Sequence, residues 1–399
     1  MDLKSVHVIP FFGAPQIFGG MDRAAEGICN ALDSLGASVT VLTTDFGIIG
    51  GLGKTGGVDS MDSSVEVLRA PSIFGGLNRF VEAYGARGFT KLCQTQIRQA
   101  DIIHFHGARS FENFVGGRVA IRHNKPYVIQ PHGSISRTLS WTALKTVYDG
   151  LFGIRHFRMS SRMIATSPLE AKTMTRLGID DRRIALVPNG LDLSAWHSSG
   201  TEDGSFRSIH GIGSDDPLVL FVGRLDFTKG IETLVLAFAK IRSSAPTAKL
   251  ILVGPESGSK SSILKTCRTL GIERAVILTG PLSGKAIRNA YQTAAVTVLP
   301  SIYESFGLVA LEAAAAGCPV IVSRSIGVAP YFEAIDGMVV EPTTSAIAEM
   351  LEKALTDEGF RSRERAKLQR IPWSDFAWPS VGRRILAIYE SILSRGELV

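Results

Sequence analysis

Short apolar runs of three to five residues alternate with segments of helical period along this chain, and the alternation stops once and restarts. The first run is Val6-His7-Val8-Ile9-Pro10, followed by a loop containing Gly13, Gly19 and Gly20. A helix is expected over about 21–35, because Ala24, Ile28, Ala31 and Leu35 recur at helical spacing and Gly36 follows. A strand is expected at 39–43. A strand–helix–strand unit crosses over right-handed, which makes its strands parallel. Further strands are expected at 65–68, 102–105, 127–129 and 163–166, several of them separated by helical stretches. Residues 194–216 are rich in Ser, Gly and Asp and have no apolar period, so they read as a linker or surface loop. The pattern then resumes with strands at 218–221, 250–253, 276–278, 296–299 and 320–322. Helices are expected between them at about 231–243, 262–270, 284–294 and 307–316. The tail, 373–394, reads as one more helix after Pro372.

Alternation of this kind specifies an α/β fold with two doubly wound parallel sheets. The expected division is a first domain over 1–193, a linker over 194–216, a second domain over 217–372, and a terminal helix over 373–399 that packs back on the first domain. Composition agrees with full cores: 399 residues, 45% apolar and 20% charged, which excludes a disordered or fibrous chain. Cys29, Cys93, Cys267 and Cys318 lie apart among apolar or small neighbours. They read as buried free thiols in a reducing compartment, not as a zinc site. The opening residues lack a secretory pattern, and no apolar run reaches membrane-spanning length. The expectation is therefore a cytoplasmic protein, with peripheral contact at an anionic membrane left open. Charge supports that option: residues 1–190 carry 21 Lys+Arg against 15 Asp+Glu, whereas the remainder carries 22 of each. A partial excess of this sort suits either solubility or an anionic partner.

In open α/β sheets, ligands bind beyond the carboxyl ends of the strands, and the candidate motifs all follow expected strands. Glu304-Ser305-Phe306-Gly307-Leu308-Val309-Ala310-Leu311-Glu312 follows the strand at 296–299 and the turn Pro300-Ser301. Eight residues are a little over two helical turns, so both glutamates can face one side. The amides of Phe306, Gly307 and Leu308 open a helix, where an anion is favoured. The glutamates would then suit sugar and ribose hydroxyls, although a capping acid and a surface acid would look the same. Gly223-Arg224-Leu225-Asp226-Phe227-Thr228-Lys229-Gly230 follows the strand at 218–221. Two cations beside a helix start suit a diphosphate and the charge that develops as it departs.

With these motifs in hand, the chain resembles the retaining glycosyltransferases of family 4, built on the two-domain GT-B architecture. The resemblance runs nearly end to end. It rests on Gly19-Gly20, His132-Gly133, Pro188-Asn189-Gly190-Leu191-Asp192, Gly223-Arg224 with Lys229-Gly230, Pro300-Ser301 with Glu304-Ser305-Phe306-Gly307, and Glu312-Ala313 with Gly317-Cys318-Pro319-Val320. It implies a first domain that binds acceptor and a second that binds a nucleotide-diphosphate sugar, UDP- or GDP-linked. The implied reaction transfers a hexose to a glycan or lipid-linked acceptor in cell-surface polysaccharide or glycolipid synthesis. Arg224 and Lys229 would grip the diphosphate, Glu304 would contact the transferred sugar, and Glu312 would bind the ribose. Phe306, Gly307 and Leu308 would approach sugar and phosphate through their amides. Gly254 and the segment Gly280-Pro281-Leu282 would line the rim and the base. Gly19 and Gly20 would lie near the donor phosphates or the acceptor, and His132 would contact the sugar and join Glu304, Arg224 and Lys229 in catalysis. No metal and no cofactor beyond the donor are implied. One departure follows residue 322: the usual glycine-rich turn and glutamate read here as Ser325-Ile326-Gly327-Val328-Ala329-Pro330, with Glu333 later.

Other features admit several readings. A plain turn explains Gly19-Gly20 as well as close approach to a ligand does. His132 follows a strand and suits either a sugar hydroxyl or a core position. His104 and His106 share one face of a strand, but a metal site would need a third ligand. His106, Gly107 and Arg109 are candidates for the acceptor side. Gly51-Leu52-Gly53-Lys54-Thr55-Gly56 imitates a phosphate loop without its strand and helix, and reads as a loop. Trp141, Leu144, Val147, Tyr148, Leu151 and Ile154, with Lys145, Arg155, Arg158 and Arg162, suit a basic amphipathic helix on its own sheet or on a membrane. A dinucleotide oxidoreductase is disfavoured, because the first loop lacks GxGxxG spacing. A non-catalytic nucleotide-sugar-binding subunit, and a phosphorylase-like or epimerase enzyme on the same architecture, stay open.

Overall fold

The computed structural model describes residues 3–10, 12–13, 20–45, 64–71, 88–136, 146, 149–197 and 205–395. The chain divides into two compact units, Met1–Gly190 with Ser374–Val399, and Leu191–Trp373.

The first unit is built on seven parallel strands: β1 (Lys4–Val8), β2 (Ser38–Thr44), β3 (Glu66–Ala70), β4 (Ile102–His106), β5 (Tyr127–Gln130), β6 (Arg162–Ala165) and β7 (Ile184–Leu186). They run in the order β3-β2-β1-β4-β5-β6-β7. Parallel sheets are covered on both faces, and alternate residues of each strand feed two cores. Val6, Val8, Ile103, Phe105 and Ile129 pack with Phe89, Cys93 and Ile97 of the helix Phe89–Gln99. Ile102, Val39, Val41 and Val128 pack on the other face with Ile28 and Leu32 of the helix Gly20–Ser34. The terminal helix, Trp378–Arg395, closes that second core with Val381, Ile385, Tyr389 and Ile392, all fully or almost fully buried. Residues three and four apart share a helix face, and burying each such side chain contributes about 1.5–3 kcal/mol.

The tail is not one helix, as expected, but two: Trp373–Phe376 and Trp378–Arg395. Pro379 explains the break, because in a continuous helix its ring would clash with the carbonyl four residues back. The Trp378 indole lies against two glycines. A Cβ on Gly27 would stand 2.1 Å from it, and one on Gly190 2.3 Å.

The second unit carries six parallel strands: β8 (Leu218–Val222), β9 (Lys249–Val253), β10 (Val276–Gly280), β11 (Val296–Leu299), β12 (Val320–Ser323) and β13 (Val339–Val340). Their order is β10-β9-β8-β11-β12-β13. Both sheets therefore start in the middle, extend one way, then cross over and extend the other way. Residues 194–216 differ from the expected linker. They carry the helices Leu193–His197 and Ser205–Ile209, and Phe206 and Ile212 are buried. The Trp196 ring meets Tyr291 edge-on at 5.6 Å, so apolar side chains spaced among the serines hold this segment in the second unit. The basic helix expected to reach Arg162 also ends early. Among the described residues it runs as a π-helical turn over Asp149–Gly153 into the α-helix Ile154–Met159, and Arg162 opens β6. Residues 141–145, 147 and 148 lie outside the described residues, as do Gly19 and the segment 51–56.

Candidate functional site

In the second unit, the loops after β8, β9, β10, β11 and β12 gather at the carboxyl edge of the sheet. Asp226 organises the first: its carboxylate accepts from the Thr228 amide at 2.9 Å and from the Thr228 hydroxyl. The short 3-10 turn Phe227–Lys229 then ends at Gly230 (φ 66°), which starts the helix Ile231–Lys240. Gly230 has no substitute there, because a Cβ would lie 2.2 Å from the Pro300 carbonyl oxygen. That close approach joins the loop after β8 to the loop after β11, and the Ile302 amide donates to the Thr228 carbonyl at 2.9 Å.

The consequence is an ion pair across the two loops. Lys229 Nζ lies 3.0 Å from Glu304 Oε1, with both side chains about one-fifth exposed. The Ser301 hydroxyl donates to Glu304 Oε2 at 3.1 Å. The Glu304 backbone is fixed as well, since the Gly327 amide donates to its carbonyl at 2.9 Å. The Val328 amide does the same to Phe306 at 2.8 Å. The segment 325–330, the departure noted in the sequence, is thus the brace of the Glu304 loop. Arg224 stands at the mouth, 57% exposed and 3.5 Å from Asp226. Gly307 (φ 103°) precedes the helix Leu308–Ala315. Glu312 lies inside that helix and is buried, not superficial, and Tyr291 Oη donates to its Oε2 at 3.2 Å.

A bare backbone rim completes the edge. The Gly223 amide donates to Val253 and the Gly254 amide to Gly280, both at 2.9 Å. Gly254 (φ 144°) sits so tightly that a Cβ would fall 1.9 Å from the Gly223 carbonyl oxygen. Leu282 follows on the same rim, between β10 and the helix Gly284–Thr293. A cavity of about 280 Å³ lined by Arg207, Asp216, Gln292 and Arg365 lies elsewhere, beside Pro217 and Ala295 at the amino ends of β8 and β11. Its arginines are already engaged: Arg207 with Gly213 and Asp216 carbonyls, Arg365 with that of Gly317.

In the first unit the strand ends are polar and buried. His7 and His104 are register partners on β1 and β4, and His106 lies two residues on along the same face. His7 Nδ1 is 3.0 Å from His106 Nε2, and His106 Nδ1 is 3.0 Å from His132 Nε2. His104 stacks on His106 with ring centres 4.2 Å apart, and its Nδ1 lies 2.7 Å from Tyr389 Oη. Burial pushes His7 and His132 down to about 3 and holds His104 and His106 well below the usual imidazole range. His132 adopts φ 51°, an unusual conformation for a side chain with a Cβ. Glu170 fixes the turn beyond it. Its carboxylate accepts from the Gly133 amide at 2.5 Å and from the Thr166 amide and hydroxyl at 2.8 and 2.7 Å.

Arg109 is committed inside the protein. It forms a two-pronged pair with Asp149 at 2.8 and 2.7 Å and donates to the Ser134 and Ile135 carbonyls. It therefore shapes the loop after β5 instead of offering a free cation to an acceptor. His106 is fully buried and Gly107 (φ 84°) receives the Asn113 amide on its carbonyl. Gly20 is the exposed first residue of its helix, and the neighbouring Asp22 is buried and accepts from the Gly13 amide at 3.1 Å. His7, Tyr389, Glu170 and Asp149 were not singled out in the sequence, and Ser301 was marked only as part of a motif. His7 alone carried a signal, as a histidine inside an apolar strand.

Two Rossmann-like units in series, each with its loops at the carboxyl ends of a parallel sheet, define the GT-B class of fold. Solved structures agree. The Anabaena protein HepE, in complex with UDP and glucose, superposes with a TM-score of 0.77 at 20% identity, covering 98% of this chain and all of that one. Sucrose-phosphate synthase from Thermosynechococcus elongatus gives 0.78 at 22% identity, with the same coverage. The family follows from sequence models that together span most of the chain: Glycosyltransferase Family 4 over residues 18–195 and Glycosyl transferases group 1 over 203–370. The chain belongs to this glycosyltransferase family. An uncharacterised glycosyltransferase of Methanocaldococcus jannaschii is 29% identical over 73% of this chain and 75% of its own length. The D-inositol 3-phosphate glycosyltransferase of Mycolicibacterium smegmatis is 30% identical over 59% of this chain and 54% of its own length. The chain thus matches little more than half the length of that relative.

Proposed function

We propose that the protein is a retaining glycosyltransferase that takes a hexose from a UDP- or GDP-linked donor and passes it to a glycan or lipid-linked acceptor. The observation that carries this reading is the Lys229–Glu304 pair at 3.0 Å, which brings a cation and an acid from separate loops to one edge of the second unit. A pyrophosphate would take Lys229 and the exposed Arg224, and the Glu304 carboxylate released by Lys229 would accept from hydroxyls of the sugar. Phe306, Gly307 and Leu308 supply amides at a helix start, where anionic oxygens are stabilised. Glu312 serves the ribose, and the rim at Gly254 and Leu282 serves the base. UDP complexes of HepE, a protein of the same fold, support a nucleotide-sugar as the ligand class.

In the proposed step the bond between the sugar C1 and the phosphate oxygen breaks. The acceptor oxygen bonds to C1 on the same face, and its proton passes to the departing phosphate. Arg224 and Lys229 stabilise the charge that develops on the leaving group. The family resemblance assigns His132 as a contact to the sugar. Glu304 is held by Lys229 and Ser301 as a hydroxyl acceptor, which suits this role better than that of a nucleophile.

A thermal-shift series with UDP-, GDP- and ADP-sugars tests the donor, since a ligand of the folded state raises the melting point. One nucleotide class should stabilise the protein, and transfer or slow hydrolysis of that donor should follow. Lys229→Ala should lower turnover by about 10²–10³-fold, the usual loss when one stabilising donor is removed. Stabilisation without any transfer or hydrolysis would favour a non-catalytic binder, and no shift with any nucleotide-sugar would sink the proposal.

A further inference from the structure

The first unit contains polar machinery that a contact between one histidine and a sugar does not require. Three imidazoles, His7, His106 and His132, are linked end to end by ring–ring contacts of 3.0 Å. Each contact needs one N–H and one lone pair. We infer that His7 and His106 are positioning residues for His132, forming an imidazole chain that places its one surplus N–H on His132 Nδ1. The inference deepens the sugar-contact reading of His132 and rests on it for its catalytic meaning.

The argument is a count of protons. Burial keeps the three rings neutral, and a neutral imidazole carries one N–H. Two of the three N–H groups are spent between rings. If His106 donates from Nδ1 to His132, its Nε2 must accept from His7 Nδ1. If it donates from Nε2 to His7, its Nδ1 must accept from His132. The chain therefore has two self-consistent states, and they differ in which end holds the surplus donor.

The ends are not equivalent. His7 Nε2 and His132 Nδ1 both lack a protein partner. His7 is fully buried within the sheet, between Val6 and Val8 of β1. His132 is half-buried in the turn after β5, next to Gly133. A buried donor without a partner costs about 1–3 kcal/mol. Both nitrogens are covered, but His7 is locked inside the sheet whereas His132 lies on a partly exposed turn, so only there can a bound substrate oxygen reach the surplus N–H. All three rings then carry the proton on Nδ1. The strained φ of 51° at His132 fits a residue held for a purpose by its surroundings. His104, stacked on His106 and bonded to Tyr389, closes the flank of the chain.

The rival occupant of this space is a cation. His7, His104 and His106 each offer a ligand atom, all within 4.8 Å of one another. Three neutral imidazoles can hold zinc, but a nitrogen that coordinates a cation cannot also share a proton with a neighbouring ring, so zinc and the His7–His106 contact exclude one another.

The test is a long-range proton–nitrogen spectrum of the full chain labelled with ¹⁵N-histidine, assigned through single variants. The expected result is one neutral tautomer, protonated at Nδ1, for His7, His106 and His132. His106→Leu should relax His132 to a mixture of both neutral tautomers. His106→Asn, whose amide can donate from the place of Nδ1, should restore the single form. Protonation of His132 at Nε2 in the unmodified chain would overturn the inference, as would an unchanged His132 in His106→Leu. So would one equivalent of zinc, added to the purified chain, binding with loss of the His7–His106 coupling. The spectrum does not depend on turnover. A correct tautomer with no transfer would therefore refute the proposed activity and leave the chain of imidazoles standing.

Discussion

Five imidazoles in the first unit, three buried and two half-buried, are held toward the neutral form by burial, and they set how the protein responds to acid. Burial pushes His156 down to about 4 and His7 and His132 to about 3, while His104 and His106 are held well below the usual value. In the unfolded chain each takes a proton near pH 6.5. Below that pH the unfolded state binds more protons than the folded one, so stability falls as pH falls, until the folded values are reached. The slope is at most about 1.4 kcal/mol per pH unit for each ring. Glu170 acts in the opposite direction at lower pH, because burial raises its carboxyl against three hydrogen bonds and the folded chain keeps its proton longer. Urea unfolding should therefore show stability level above about pH 7 and falling between pH 6.5 and 4. His156 isolates one part of this effect. Neither ring nitrogen has a partner, and the ring stacks on Tyr127 at 5.1 Å. His156→Phe keeps the aromatic contacts and removes the titrating group. It should leave stability near neutral pH unchanged or slightly higher, and reduce the acid slope by about one proton. An unchanged slope would show that His156 is not held neutral in solution.

Among the elements, the carboxyl rim of the second sheet depends on backbone packed against backbone. Gly254→Ala would drive a Cβ to within 1.9 Å of the Gly223 carbonyl oxygen, in a conformation with φ 144°. Gly271→Ala makes a useful comparison, because Gly271 has φ 66° but nothing within 4 Å of a Cβ. The left-handed conformation alone costs about 1–2 kcal/mol. Taking about 2–4 °C per kcal/mol for a domain of this size, Gly271→Ala should lower the melting point by roughly 2–8 °C, and Gly254→Ala by clearly more than Gly271→Ala does. Equal losses in the two variants would mean that the rim can relax. The strands that build this rim were legible because β8, β9 and β11 are short apolar runs followed by glycine or proline. The helices Thr344–Thr356 and Glu358–Lys367 were passed over, although Thr343 and Asp357 cap them at Ala346 and Phe360. Glu358–Lys367 is too charged to show an apolar stripe, whereas Thr344–Thr356 carries a full one in Ile347, Ala348, Leu351, Ala354 and Leu355 that was readable. β7 and β13, three and two residues long, lie below what periodicity can reveal. Of the site, the motifs that sit on one loop were readable. The pairings were not: Lys229 with Glu304, Arg109 with Asp149 and His7 with His106 join loops or strands far apart in the chain. Register and loop packing decide those contacts, and a linear reading has no access to either.

At the scale of the whole molecule, the first unit is made from both ends of the chain. The polypeptide leaves it after Gly190 and returns at Ser374. The returning segment brings Tyr389 to His104 and the buried face of Trp378–Arg395 to the second core. No helix among the described residues is long and apolar enough to cross a membrane. The contact of Trp378 with Gly190 has an evolutionary and practical meaning. The departing and returning strands of polypeptide are fastened at one point, so the intervening 183 residues, Leu191–Trp373, are topologically an insert. A shortened gene that joins Gly190 to Ser374 through a brief glycine-serine bridge should still encode the complete seven-stranded sheet with its closing helix. It should yield a soluble product that unfolds in one cooperative transition, and cutting instead after Gly190, without the tail, should not. A molecule wired in this way can exchange its second unit for another through two neighbouring junctions, leaving the core of the first untouched.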